Sequence, residues 1–345
     1  MIRPAPIRIG VFGAGRIGYR HARTVANEVV GAQLAAICDV HLGSAHALAE
    51  LTGSERYSAD PSDILEDASI DAVIIGSSTD SHAQLIEAAA AAGKHIFCEK
   101  PIALDLDTTD LAIAAAAAAG VQLQIGFQRR FDKAYAKASQ MIDEGLMGNI
   151  EVVRDTMRDP NPPHEAYIPT SGGLFRDMVI HDFDCVRWIM GCEPIEVFAM
   201  GANLVDPVFA KYGDIDTCTV NIRFESGALG AIDASRRSGF GYDVRTEIFG
   251  SKSAVMIGES RDTPLYRYDS QGVWSDHIHW FLERFDAAYV AEIQTFVNCL
   301  RHDTPVPVTG ADGRAALAMA YAAEASIKEN APIPMSRYAG KGTQS

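Results

Sequence analysis

The sequence predicts an α/β chain of two parts. Residues 1–126 read as a Rossmann domain, a doubly wound parallel sheet that binds a dinucleotide. Residues 127–345 read as an α+β domain with a large, mostly antiparallel open sheet. Three observations carry this. Solid apolar runs alternate with helical stretches up to Gly126, as expected of a parallel sheet covered on both faces. A glycine-rich turn joins the first apolar run to the first helix. Beyond Gly126 the rhythm changes to strands joined by Gly and Asp turns.

In chain order, residues 7–12 form an apolar strand broken only by Arg8 and Gly10, and 16–27 a helix. A strand over 33–38 and a helix over 45–51 follow. Residues 72–75 are a strand bounded by Gly76, and 81–92 a helix stopped by Gly93. Residues 95–98 are a strand, 107–119 a helix stopped by Gly120, and 121–126 a strand. In the second part, 134–144 is helical, 151–156 a strand and 159–163 a Pro-rich loop. Residues 174–190 read as one long helix. The span 195–255 turns to strands, among them 217–224 and 228–235. Two late helices cover 286–301 and 310–329, and the latter could pack back on the first domain.

Composition narrows the function. At 345 residues and 48% hydrophobic, the chain can build large cores and is not disordered. Acidic residues outnumber basic ones 45 to 30, and the resulting net charge of -15 argues against a nucleic-acid partner. No apolar run approaches the ~20 residues of a membrane span, so no membrane partner is expected. Residues 1–6 carry no signal-peptide pattern and run straight into the first strand. The six cysteines form no Cys-x-x-Cys and several sit in apolar runs, which reads as reduced core thiols of a cytoplasmic protein. The histidines have no metal-site spacing, and no metal is expected. His277 and His279, two apart on a candidate strand, read as surface residues.

Gly13-Ala14-Gly15-Arg16-Ile17-Gly18 follows the first strand and opens the first helix. Gly13 serves the tight turn, Gly15 the approach of a pyrophosphate, and Gly18 close helix–strand packing. The helix N-terminus then offers free N–H donors to phosphate. Asp39 ends the second strand, about 20 residues further on, where a carboxylate binds the adenine ribose and repels a 2′-phosphate. The next residues are Val40 and His41 rather than Arg, which favours NAD over NADP. The bland reading is a glycine turn without ligand.

Cys98-Glu99-Lys100-Pro101 ends the next-to-last strand of the first domain, at the sheet edge where ligands bind, and Pro101 is a candidate for a cis bond. Lys100 could face a cofactor-bound substrate or be a solvated turn residue. In the second domain, Asp177 and His181 stand at i and i+4 on one helix face, with Asp184 and Arg187 nearby. An aspartate beside a histidine orients its tautomer and favours imidazolium, as a general base needs. Most helix Asp–His pairs, however, are structural.

Taken together, these stretches resemble the Gfo/Idh/MocA oxidoreductases over nearly the whole chain. The matching residues are Gly13 to Gly18, Ser77-Ser78-Thr79 with His82, Glu99-Lys100-Pro101, Gly126 through Asp132, and Gly172-Gly173 with Asp177 and His181. Arg158-Asp159-Pro160 and His181-Asp182-Phe183-Asp184 resemble the inositol dehydrogenase branch in particular. The resemblance implies an enzyme that oxidises a ring secondary alcohol of a polyol or sugar with NAD, with myo-inositol as the first expectation. Lys100 would bind the reacting hydroxyl, and His181 would be the base, oriented by Asp177. Glu99 and Lys100 would border the nicotinamide. Ser78, Thr79, His82 and Gln128 would lie along the cofactor with Arg16 and Ile17. Arg129 would touch polyol hydroxyls, with Arg130 the fallback. Tyr242 and Tyr289 are further substrate candidates or, equally, core aromatics.

Gln128, where relatives often carry Asn or Met, and His41 depart from the family pattern and bear on sugar choice and on NAD preference. The resemblance also implies a homo-oligomer, dimer or tetramer. Other readings are a scyllo-inositol or glucose-type dehydrogenase, an NAD-dependent glycosidase of the same fold that releases sugar without net NADH, and a non-catalytic sugar or dinucleotide sensor. Loss of the Lys–Asp–His set would favour the sensor, and all three residues are present.

Overall fold

The computed structural model describes residues 5–54, 56–258 and 261–340. Residues 1–4, expected to lead into the first strand, lie outside them.

From the N-terminus run β1 (Ile7–Phe12), α1 (Arg16–Asn27), β2 (Ala32–Cys38), α2 (Leu42–Thr52), β3 (Tyr57–Ser58), α3 (Ser62–Leu65) and β4 (Ala72–Ile75). Then come α4 (Thr79–Ala91), β5 (His95–Glu99), α5 (Leu106–Ala119) and β6 (Leu123–Gly126), ending in a 3-10 turn at Gln128–Phe131. The sheet order is β3-β2-β1-β4-β5-β6 with every pairing parallel. This is the dinucleotide-binding order, which reverses direction between β1 and β4. The strands are solid apolar runs because both faces are covered: Ile7, Ile9, Val11, Ile74 and Phe97 are fully buried.

Next are α6 (Lys133–Asp143), β7 (Ile150–Arg158), α7 (Ile168–Ser171), α8 (Ile180–Met190), β8 (Pro194–Ala202), α9 (Val208–Lys211), β9 (Thr217–Phe224) and β10 (Leu229–Ser235). They are followed by β11 (Asp243–Gly250), β12 (Ala254–Ile257), β13 (Tyr266–Asp269), β14 (Gly272–Ser275) and α10 (Phe281–Arg284). The chain closes with α11 (Asp286–His302), α12 (Gly310–Glu329) and β15 (Ile333–Pro334). The second sheet has the order β12-β11-β7-β10-β9-β8-β15. Only β7 and β10 run parallel, and the other pairs are antiparallel. Burial alternates along β9 and β10, with Val220, Ile222, Ile232 and Ala234 inward. Helix α8 packs against β7 with Phe183, Val186 and Ile189 buried.

Two compact units result, Met1–Phe131 with Ala287–Ala315 and Asp132–Asp286 with Ala316–Ser345. The first therefore takes in a segment that the sequence reading assigns to the second domain. The physical reason is hydrophobic: Ile293, Phe296 and Val297 of α11 join Ile9, Val25 and Phe97 in one core.

Three further differences from the sequence reading are local. The expected single helix 174–190 is interrupted by a π-helical stretch at Phe175–Val179 before α8 begins. His277 and His279 lie in irregular chain after β14 rather than on a strand, and both are exposed. The β13–β14 hairpin was not foreseen: its strands are only four residues each and every residue is exposed, so no buried run marks them.

Candidate active site

In the first unit, the strand ends deliver the residues expected at the nucleotide. β1 ends at Phe12, and Gly13 turns the chain with φ +97°. A side chain on Gly18 would lie 2.0 Å from the Gly13 carbonyl oxygen, so only glycine lets α1 start there. At Gly15 there is nothing within 4 Å of an added Cβ, so that position is open to a ligand. Gly15 caps α1 without a side-chain bond, and no acidic residue stands in the first turn, so the N-terminus keeps its positive end for an anion. Arg16 is exposed and Ile17 half-buried on that turn.

Asp39 follows β2. Its Oδ2 accepts the Ala14 N–H at 2.7 Å and its Oδ1 the His41 N–H at 2.8 Å. These bonds tie the carboxylate to the glycine turn itself. The donors, the open glycine and the carboxylate fit a dinucleotide with an unphosphorylated adenine ribose.

After β4, Ser78 caps α4 and is exposed, with Thr79 half-buried at the first helical position. His82 is buried. Its Nδ1 lies 2.8 Å from the Pro101 carbonyl oxygen and its Nε2 3.2 Å from that of Ser77. Burial pushes the His82 imidazole below its ordinary pKa, so the neutral ring donates to one carbonyl at a time. It thereby clasps the β4 and β5 loops. β5 ends at Glu99, and half-buried Lys100 precedes Pro101 in a cis bond. The turn after β6 buries Gln128 and Arg129, while Arg130 pairs with Asp312 at 3.1 Å.

Behind Lys100 lies a cluster that sequence spacing did not reveal. Glu99 Oε1 is 2.7 Å from His21 Nε2, and Glu292 of α11 brings a carboxylate oxygen into the same group, with all three ligand atoms within 4.8 Å. All three residues are buried. Burial, and then the charge of Glu99, raise the Glu292 carboxyl well above the usual carboxylate range, which favours its neutral form. Tyr289 belongs here too, with its ring edge-on to that of His21 at 5.9 Å.

In the second unit, Gly172 and Gly173 both have positive φ, and Asp214 Oδ1 accepts the Leu174 N–H at 3.0 Å, capping the helical start. The π-helical stretch that follows contains Asp177, and His181 stands one turn on, half-buried. Such stretches are frequent at functional sites. Asp177 Oδ1 accepts the Tyr167 hydroxyl at 2.8 Å, and its Oδ2 lies 2.8 Å from Arg236 Nη2. Asp182 and Asp184 are buried, and Arg187 pairs with Glu193. Tyr242 is buried against Phe281 and Phe285.

The parallel sheet and its glycine turn define a dinucleotide-binding protein. The Oxidoreductase family, NAD-binding Rossmann fold model matches residues 7–127, and the GFO/IDH/MocA C-terminal domain matches residues 135–256. The chain belongs to the Gfo/Idh/MocA oxidoreductase family, and its cofactor is NAD. It is 44% identical over 97% of its length to the whole of the myo-inositol 2-dehydrogenase of Thermotoga maritima. It is 40% identical over 95% of its length to 98% of the inositol 2-dehydrogenase of Rhizobium meliloti. Among solved structures it matches the scyllo-inositol dehydrogenase of Lactobacillus casei with bound NAD(H) and scyllo-inositol. The TM-score is 0.89 at 33% identity, covering 96% of this chain and 99% of that one.

Proposed function

We propose that the protein is an NAD-dependent inositol 2-dehydrogenase that oxidises one ring hydroxyl of myo-inositol to the ketone. The observation that carries this is the end-to-end similarity, at 44% identity, to a protein named for that activity. NAD, when bound at the glycine turn and Asp39, would supply the hydride acceptor. The chain's part is to move the hydroxyl proton and steady the charge. His181, oriented by Asp177, takes the proton, the part that histidine most often plays in catalysis. The Lys100 ammonium stabilises the developing alkoxide. Arg129 and Tyr242 are the proposed polyol contacts.

The expected outcome of His181→Ala or Lys100→Ala is retained NAD binding with turnover reduced by ~10²-fold or more, read by NADH absorbance and by NAD titration. Full turnover in either variant removes that residue from the reaction.

We place the enzyme in the cytoplasm because its six cysteines are all free and five are buried. Burial pushes the Cys38 thiol up to about 11, so it is inert. Among the described residues no helix is long and apolar enough to cross a membrane. We assign oligomerisation to the outward face of the second sheet, where Met200, Phe249 and Met256 are exposed.

A further inference from the structure

Arg236 was not among the residues singled out from sequence, yet the second unit is built to bury it. β7 and β10 run parallel, so their C-terminal ends deliver consecutive residues to one end of the sheet. Arg158 pairs with Ser235, and the next backbone bond runs from the Asp159 N–H to the Ser235 carbonyl. Asp159 and Arg236 are therefore brought side by side by register alone. The Arg236 side chain is 4% exposed. Its Nη1 lies 3.7 Å from Asp159 Oδ2 and its Nη2 2.8 Å from Asp177 Oδ2. Burial works against the charge, but Asp177 and Asp159 more than offset it, with Asp214 adding to them, and they hold the guanidinium above its ordinary pKa.

We propose that Arg236 is a positioning residue for the reaction: with Tyr167 it fixes both oxygens of Asp177, and it is itself held by Asp159. This rests on the proposed role of Asp177. The physical case is that a fully buried cation is costly unless paired and hydrogen-bonded, so the cluster has one low-energy arrangement rather than many. A carboxylate bonded on both oxygens cannot swing away from the helix turn that carries His181. The planar fork of arginine can reach two carboxylates in fixed directions, which an ammonium cannot. The assignment also gives a use to the Arg158-Asp159-Pro160 stretch: Asp159 braces Arg236, and Arg158 is spent on Asp233 and Asp243.

The test uses the full-length enzyme with NAD and the inositol it turns over best. Arg236→Lys keeps the charge and loses the fork, so kcat is expected to fall about 10-fold or more, up to the ~10²-fold that a misplaced group costs. KM should be nearly unchanged, and so should the acid limb of the kcat/KM profile. Arg236→Gln removes a positive charge from beside Asp177, leaving Tyr167, Asp159, Asp214 and His181 as the neighbouring titratable groups, and should move that limb to higher pH. Because Arg236→Gln strands half-buried carboxylates and can fail to fold, Asp159→Asn provides a milder second variant, expected to lower kcat in the same sense. A double-mutant cycle of Arg236→Lys with Asp177→Asn should be strongly non-additive.

Wild-type kcat and an unchanged pH profile in Arg236→Lys and Asp159→Asn, with Asp177→Asn inactive, would overturn this proposal and leave the role of Asp177 intact. Wild-type activity in Asp177→Asn would instead overturn the role of Asp177 itself.

Discussion

Glu292 is a carboxyl group held in the core of the first unit, and its proton makes the stability of that unit depend on pH. Burial and Glu99 raise its pKa in the folded protein above the ordinary carboxylate value at which it ionises when unfolded. Between those two values the folded state binds more protons, so stability is fully present below the unfolded pKa and is lost as pH rises through the folded one. Glu292→Gln keeps the shape and removes the ionisation. Measured by thermal unfolding from about pH 5 to about pH 9, wild type should lose more Tm across the range than the variant. Parallel curves would mean that Glu292 is not the group responsible. Two glycines make a second residue-scale contrast. Gly18→Ala would force a methyl to 2.0 Å from the Gly13 carbonyl and should lower Tm and NAD affinity together. Gly15→Ala meets nothing in the chain, so it should leave Tm nearly unchanged and weaken NAD binding alone. Equal loss of Tm in both variants would contradict this division.

At the scale of elements, what was legible in the sequence was what local pattern encodes. The strand Ile7–Phe12 and the helix Arg16–Asn27 have the limits their apolar runs and glycines mark. So do the strand Thr217–Phe224 and the helix Gly310–Glu329. The π-helical stretch at Phe175–Val179 was not legible, because one widened turn leaves the apolar spacing of a helix almost unaltered. Its position between the Gly172-Gly173 turn and His181 sets where Asp177 stands. The partners of the candidate site residues were also hidden. Arg236 meets Asp177 through the register of β7 and β10, and Glu292 meets Glu99 because α11 returns to the first core. Both are consequences of tertiary pairing, which one sequence read in windows does not contain. The motif residues were visible, and the groups that brace them were not.

At the scale of the molecule, the candidate residues are distributed over a nucleotide-binding unit and an open-sheet unit. The first carries the glycine turn, Asp39 and Lys100, and the second carries Asp177 and His181. The net charge of -15 suits a neutral polyol and disfavours a polyanionic partner. The relatives divide between myo- and scyllo-inositol, which differ in the orientation of one ring hydroxyl, so the fold alone does not choose between them. The central claim is NAD-linked oxidation of an inositol. Its most direct test is NADH and NADPH formation by the purified protein with myo-inositol, scyllo-inositol, D-chiro-inositol, D-glucose and D-xylose. The account predicts turnover with NAD, myo-inositol the best substrate, and little or no NADPH. A protein that binds NAD but oxidises no inositol would contradict it.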